Sequence, residues 1–395
     1  MRCCVERVRC GYIGNAREMD KKIALFSCHR DPNYGSMLQA YALAEAIRKL
    51  GRNAEYVDYY SSQKWHGVRE VLNKTISLAK RVAKKILRPK SKRSEFYFFS
   101  EDWFRPTIEA YRRFHERYIP YSAKSYYFNT LKDIVNDNIY DDYMVGSDQM
   151  WSPFLYDIRR PYFLDFASLP RKNAYAPSVG TTQISEEYLQ MLIEKLSSFE
   201  HLSCRELSNC KTLSEAIGRE VVNVLDPTLL LNRDDWDKVA SANYPQGEYI
   251  LAYILGEKES IVSFAEQLGK EKGLPVYYIV TRPKYRFFKN ALLSVGPDDF
   301  VACIKHASYV VTDSFHGSLF SINYRVNFYA FSKREGSVNS NDNVRILEFL
   351  SILNLQDRFQ DECNAKLLVD SDFDAVHEKL NALRQLSLDY LRECI

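Results

Sequence analysis

Short apolar runs alternate with amphipathic stretches along most of the chain. Lys22-Ile-Ala-Leu-Phe-Ser-Cys28 has the length and composition of a buried strand, and a turn-rich loop with Pro32, Asn33 and Gly35 follows it. From Ser36 to Leu50 the apolar residues, among them Met37, Leu38, Tyr41 and Ala42, recur three and four apart, which predicts a helix ended by Gly51. Asn53 to Tyr59 reads as the next strand. Strand, loop, helix, strand is the opening of a parallel α/β sheet. Further strands are predicted at 142–145, 173–178, near 201–203 and at 221–225, with a short helix over 213–217. Asp226-Pro227 reads as a structural stop after the last of these. A second α/β unit follows, with strands at 249–255, 276–280, 309–312 and 326–331 and helices over 261–270, 298–307 and 316–323. Helices at 344–353 and 373–391 close the chain. The aromatic, polar region up to about Tyr127 suggests no element.

A chain of 395 residues exceeds one ordinary core, so two domains are expected. The pattern divides it into an irregular extension over 1–20, a first domain over 21–230, a second over 231–370 and a closing helix over 371–395 that packs back on the first domain. Ligands in open α/β sheets sit where strands end and loops lead into helices, so those loops carry the candidate chemistry.

Composition changes this picture little; charge changes it more. The net charge of +3 conceals a segment, 64–93, with eleven Lys or Arg and one acid, which leaves the remainder mildly acidic. Within that segment Val68, Leu72, Ile76, Ala79, Ala83 and Ile86 form an apolar stripe at helical spacing, up to Pro89. A basic amphipathic helix of this kind can lie on an anionic membrane or pack on its own domain. Nucleic acid is the lesser expectation, since Trp65 is the one stacking aromatic of the segment. The nine cysteines form no CxxC pair, and the first twenty residues hold no apolar signal-like region, so free thiols and a cytoplasmic protein, peripheral at the inner membrane face, are expected. No window is apolar enough to span a membrane. The chain has no GxGxxG, Walker-type loop, HExxH or DxD-like pair, so neither a cofactor nor a metal is expected.

Four strand-end loops stand out: Asp31-Pro-Asn-Tyr-Gly-Ser36, Gly146-Ser-Asp-Gln-Met-Trp151, Cys204-Arg-Glu-Leu-Ser208 and Thr312-Asp-Ser-Phe-His-Gly-Ser318. His316 follows a strand and opens a helix, where an imidazole can exchange protons near neutrality or serve as a hydrogen-bonded structural group. Arg205 offers a planar fork to a carboxylate or phosphate, or pairs with Glu206 or another acid. Asp148 can accept a hydroxyl proton or cap the next segment. Trp151 can stack on a sugar ring or fill the core, and Asn33 and Gly35 can approach a ligand or serve only the turn.

With Tyr175-Ala-Pro-Ser-Val-Gly180 and Asp226-Pro-Thr228, these loops resemble the polysaccharide pyruvyl transferase family in order and spacing, from about Lys22 past Asn343-Val-Arg345. The resemblance implies an α/β fold of two Rossmann-like domains facing a cleft, as in glycosyltransferases of the B type. It implies transfer of the enolpyruvyl carbons of phosphoenolpyruvate to two hydroxyls of a sugar in a polysaccharide or lipid-linked glycan, forming a ketal and releasing phosphate. His316 would be the general acid/base with Asp148 beside it, and Arg205, Arg345 and Lys333, with Arg334, would hold the donor. Ser314, Gly317 and Ser318, Asn33 and Gly35, Ser147, Gln149 and Trp151, and Ser178 would complete the substrate site. Many members of the family carry Arg where this chain has Ser314, so another cation must do that work. Two other readings fit the loops: a glycosyltransferase of the same fold using a nucleotide-sugar donor, and a non-catalytic protein that docks on a membrane through 64–93.

Overall fold

The computed structural model describes residues 22–61, 102–154, 161–256, 258–333, 343–360 and 365–395. The N-terminal extension, the basic segment 64–93 and Arg334 lie outside the described residues.

The first sheet is parallel throughout. Its strands are β1 (Lys22–Phe26), β2 (Ala54–Tyr60), β3 (Tyr121–Tyr127), β4 (Tyr140–Val145) and β5 (Lys172–Ala174), in the spatial order β3-β2-β1-β4-β5. A bridge between Asn173 and His201 carries the layer on to the pair β6 (Ser203–Cys204) and β7 (Val222–Asn223). The second sheet contains β8 (Ile250–Tyr253), β9 (Val276–Ile279), β10 (Ala291–Leu292), β11 (Tyr309–Thr312), β12 (Asn327–Phe331) and β13 (Phe359–Gln360). It is ordered β10-β9-β8-β11-β12-β13, which is the doubly wound Rossmann order. Central strands are buried on both faces: Ile23, Ala24, Leu25, Val310 and Val311 are fully enclosed, as unbroken apolar runs predict. Two Rossmann-like domains facing a cleft is therefore the architecture.

The helices are α1 (Tyr34–Lys49), α2 (Arg105–Tyr118), α3 (Glu186–Leu196), α4 (Leu207–Ile217), α5 (Arg233–Trp236), α6 (Glu259–Lys272), α7 (Pro297–Lys305), α8 (Phe315–Tyr324), α9 (Val344–Ile352) and α10 (Phe373–Glu393). Of these, α2 and α3, like strand β3, fall where the apolar pattern suggests no element. Among the described helices none is long and apolar enough to cross a membrane.

One apolar cluster is shared by both domains, with residues of α1 and of α7 and α8 packed together. Tyr34 of α1 stacks on Phe300 of α7 at 4.6 Å, and its hydroxyl donates to the Val295 carbonyl at 2.9 Å. Trp236 lies between Tyr41 and Phe320. Each aromatic pair of this kind contributes about 0.5–1.5 kcal/mol beyond its burial. The closing helix α10 returns to the first domain: Tyr390 donates to the Ala174 carbonyl (2.8 Å) and Ser387 accepts from Leu225 N–H (3.0 Å). These contacts fix how the two sheets face each other.

Candidate active site

The strand order reverses next to β1 and β4 in the first sheet, and next to β8 and β11 in the second. Ligands bind at such switch points, because the loops on either side diverge there and leave a crevice. The loops after β1, β4, β8 and β11 meet across one cleft of about 270 Å³. Asn33, Asp148 and Gln149 line it from the first domain, and Ser314, His316, Ser318, Lys333 and Arg345 from the second.

His316 enters through α8. Ser314 is the N-cap of that helix, its hydroxyl accepting from Gly317 N–H at 3.3 Å, so the serine that stands in the family's arginine position begins the helix while still lining the cleft. A Cβ at Gly317 would lie 2.7 Å from Thr312 Oγ1, so this glycine serves close packing of α8 on β11. Ser318 donates back to the Ser314 carbonyl at 3.3 Å. The imidazole itself lies against the first turn of α1: a Cβ at Gly35 would be 2.1 Å from His316 Nδ1. Glycine is thus the residue that lets the two domains close on this ring. Asn33 is the N-cap of the same helix, accepting from Ser36 N–H at 3.2 Å.

On its other side His316 Nε2 lies 3.5 Å from Asp226 Oδ2. The structural-stop reading of Asp226 is half of its role. Its Oδ1 does cap the turn that follows, accepting from Thr228 N–H at 3.0 Å and from the Thr228 hydroxyl at 2.7 Å. Its Oδ2 faces both His316 and Arg205, the latter at 2.5 Å. Burial opposes ionisation of this carboxyl, but the charges of Arg205 and His316, with the hydrogen bonds from Arg205 and Thr228, overcome it and hold Asp226 well below the usual carboxylate range. Sequence reasoning missed this contact; the signal was an acid at the end of a strand that runs toward the cleft.

Arg205 is buried and spans two acids, Asp226 and Asp148, the second at 3.2 Å. Its neighbour Glu206 is occupied elsewhere, accepting from Ser178 and from Asn209. Burial works against the guanidinium, yet the two aspartates raise its pKa. Arg345 is different. Its guanidinium reaches Asp148 only at 4.0 Å, and burial together with the Arg205 charge lowers its pKa. Both guanidiniums lie over the Phe315 ring, at 5.1 and 5.4 Å. The Nε atoms of Arg205 and Arg345 are buried without a hydrogen-bond partner among the described residues. Two such cations side by side, with Lys333 exposed at the rim, form a place for an anion. Asp313 is not available to offset them: its carboxylate accepts from Leu255 and Gly256 N–H at 2.6 and 2.7 Å, and burial raises its pKa.

Asp148 sits at φ 79°, in the left-handed region that a non-glycine residue rarely adopts and that recurs at functional sites. Its Oδ1 accepts from Gln149 N–H (2.9 Å) and Arg205, and its Oδ2 from the Ser36 hydroxyl (3.2 Å). Burial opposes its charge, but Arg205, His316 and Arg345 together hold it below the ordinary carboxylate value.

Three residues of the neighbouring motifs are not at the cleft. Trp151 is fully buried, its indole N–H donating to the Tyr162 carbonyl at 3.3 Å and its ring set edge-on against Phe199, so it fills core and offers no face to a sugar. Ser147 is also enclosed, its hydroxyl donating to the Ala176 carbonyl at 2.6 Å and its backbone N–H donating to Gln39 Oε1 at 2.9 Å. Ser178 spends its hydroxyl on Glu206. All three shape the loops that carry Asp148 and Arg205. Tyr253, Asp313 and Asn343 line the cleft and were not singled out from sequence. Among the described residues no group of His, Cys, Asp and Glu is arranged to hold a metal ion.

The profile of the polysaccharide pyruvyl transferase family matches residues 33–333. No curated protein sequence matches the chain. Among solved structures, a putative UDP-N-acetylglucosamine 2-epimerase from Listeria monocytogenes is similar at 12% identity and a TM-score of 0.42, over 93% of this chain and 96% of that one. The glycosyltransferase SnogD from Streptomyces nogalater is similar at 13% identity and 0.41, over 93% and 95%. The ADP-heptose LPS heptosyltransferase II of E. coli is similar at 10% identity and 0.36, over 93% and 99%.

Proposed function

We propose that the chain, which belongs to the polysaccharide pyruvyl transferase family, uses phosphoenolpyruvate to place a pyruvyl ketal on two hydroxyls of a sugar in a polysaccharide or lipid-linked glycan. The observation that carries this reading is an imidazole backed by an ionised carboxylate at a cleft lined by Arg345, with Arg205 directly behind, both guanidiniums having Nε atoms without a hydrogen-bond partner among the described residues. The donor is a small molecule with a phosphate and a carboxylate, and Arg205 and Arg345 suit those two charges, with Lys333 at the rim in place of the arginine that Ser314 replaces.

The proton accounting assigns the roles. A proton is added to C3 of the enol, which becomes a methyl group, and the oxygen of the first hydroxyl bonds to C2. The C2–O bond to phosphate then breaks and the second hydroxyl bonds to the same carbon. Two hydroxyl protons are lost, one replacing the proton delivered to C3 and the other leaving with phosphate. A group that gives and takes protons around neutrality is required, and His316 is that group. Asp226, 3.5 Å from Nε2, steadies its ring. Asp148, held below the usual carboxylate range, is a weaker base than an imidazole and serves by orienting a hydroxyl.

The test is direct. Purified protein is incubated with phosphoenolpyruvate and lipid-linked glycans extracted from cells, and the glycans are analysed by mass spectrometry. The reading predicts a pyruvyl ketal on the glycan with one phosphate released per ketal. Transfer from a nucleotide sugar, with phosphoenolpyruvate untouched, would replace this reading by a glycosyltransferase.

A further inference from the structure

Beside the main cleft, at the carboxyl ends of β1 and β2, lies a second cavity of about 170 Å³. Cys28, His29, Arg30, Tyr59, Ser61 and Tyr162 are among the residues that line it. The two cavities share a wall. Cys28 lines the small one, and its thiol lies 3.8 Å from Asp148 Oδ2, whose carboxylate lines the cleft. The two Asp148 oxygens therefore look in different directions: Oδ1 toward Arg205 and the cation pair, Oδ2 toward Ser36 and Cys28.

The cavities differ in charge. The cleft gathers Arg345, Lys333 and His316, with Arg205 behind Arg345 in an adjoining cavity. Among the described residues lining the small cavity the one cation is Arg30, beside the acid Asp31; Arg30 also meets Asp58 at 2.6 Å, and its guanidinium is spread over the rings of Tyr60 and Tyr121, each at 5.4 Å. The floor residue His29 shares a 3.0 Å hydrogen bond with His115, and burial holds both imidazoles neutral, lowered to about 3 and about 4. A site without surplus positive charge, walled by tyrosine rings and carrying the hydroxyl of Ser61 at its mouth, suits an uncharged polyhydroxylated ring and not a phosphorylated one. Its far wall is rigid, because the Tyr162 carbonyl is tied to the buried Trp151 indole.

We infer that this second cavity seats an uncharged sugar ring of the acceptor, with Asp148 at the junction presenting that ring's hydroxyls to the donor cleft. The inference rests on the pyruvyl-transfer reading for the identity of the donor, and the test separates the two. Ser61 is exposed at the mouth, so Ser61→Trp fills the cavity without touching the core; Tyr59→Ala removes a wall instead. Saturation-transfer NMR with a panel of methyl hexosides reads binding without turnover. Transfer from protein to at least one hexoside, lost in Ser61→Trp, is the expected result. No transfer to any hexoside, or equal transfer in Ser61→Trp, overturns the inference. In turnover, both variants should raise KM for the glycan by about tenfold or more, the scale on which pocket contacts discriminate, while KM for phosphoenolpyruvate stays the same. A rise in donor KM alone would also overturn it. Failure to consume phosphoenolpyruvate would instead sink the pyruvyl reading, and the NMR result would still decide the sugar seat.

Discussion

Two histidine sites in this molecule are buried to a similar degree and differ in what faces them. His29 is 3% exposed and His115 6%, against 9% for His316. The first two stack on each other at 5.2 Å and share one hydrogen bond, with Tyr56 on the far side of His29. Burial is the largest influence on both, and Arg30 adds to it, so the pair stays neutral. His316 faces an ionised carboxylate, Asp226, on one edge and the backbone of Gly35 on the other. It also borders the cleft, which His115 does not. The two sites thus share burial and differ in what surrounds the ring: His316 has a fixed negative charge at its edge and a cleft beside it, while His29 meets a second imidazole and the charge of Arg30.

Removing that charge should have the largest effect. Asp226→Asn leaves Arg205 with Asp148 as its one ion-pair partner and removes the carboxylate that lies 3.5 Å from His316. Breaking a buried ionic set of this kind costs about 3–5 kcal/mol, so a melting experiment should show a clear loss of stability. Pyruvyl transfer should fall by about 10²-fold or more in the folded fraction. A stable and fully active variant would mean that the Asp226–His316 contact is incidental.

Displacing the ring without changing its charge comes next. Gly35→Ala puts a methyl group where Nδ1 of His316 lies. Misplacing a catalytic group by about 1 Å costs on the order of 10²-fold in rate, so kcat should drop on that scale while the fold, judged by circular dichroism, persists. Unchanged kcat would show that the imidazole tolerates movement and does not act by position.

The cation side should respond more mildly. Arg205→Lys keeps a charge but loses the fork that bridges Asp226 and Asp148. The expected outcome is a rise of about tenfold in KM for phosphoenolpyruvate, the size of one lost charge-assisted hydrogen bond. If only the KM for the glycan changes, Arg205 belongs to the acceptor.

The smallest effect separates the neutral pair. The folded pKa values of His29 and His115 lie below the unfolded value near 6.5, so the unfolded chain binds more protons as pH falls. Their contribution is complete above about pH 6.5 and is lost progressively as pH drops toward 4 and then 3. Each can add a slope of up to about 1.4 kcal/mol per pH unit in that window. Replacing His115 by Phe should flatten the dependence of stability on pH between 4 and 6.5, as measured by denaturant unfolding.

Much of this arrangement is legible in the sequence. The strand over Tyr309–Thr312 has the bounds its apolar run suggests, and α1 and α8 begin close to where the turn residues place them. Helix α2 is hidden because its inward face is Thr107, Ala110, Tyr111, Phe114 and His115, at helical spacing but without Leu, Ile, Val or Met. Strand β3 buries Ser122 and Tyr126 and exposes most of the rest, so it lacks an apolar alternation. In the site, the loops were readable because turn chemistry marks the ends of strands. What was not readable is which way side chains turn inside those loops. Trp151 and Asp148 share one motif, yet the first is held inside by Tyr162 and the second is turned toward Arg205 by its left-handed backbone. Asp226 carries a local signal as a cap, and its contact with a histidine 90 positions later depends on how two sheets face each other.

The measurement that bears most directly on the contrast between the two histidine sites is phosphate release from phosphoenolpyruvate in the presence of the glycan acceptor, compared between His316→Gln and His29→Gln. The account predicts a loss of about 10²-fold or more in His316→Gln, with circular dichroism unchanged. It predicts phosphate release at close to the original maximal rate in His29→Gln, whose position bears on acceptor affinity alone. Retained release in His316→Gln, or an equal loss of maximal rate in both variants, would contradict it.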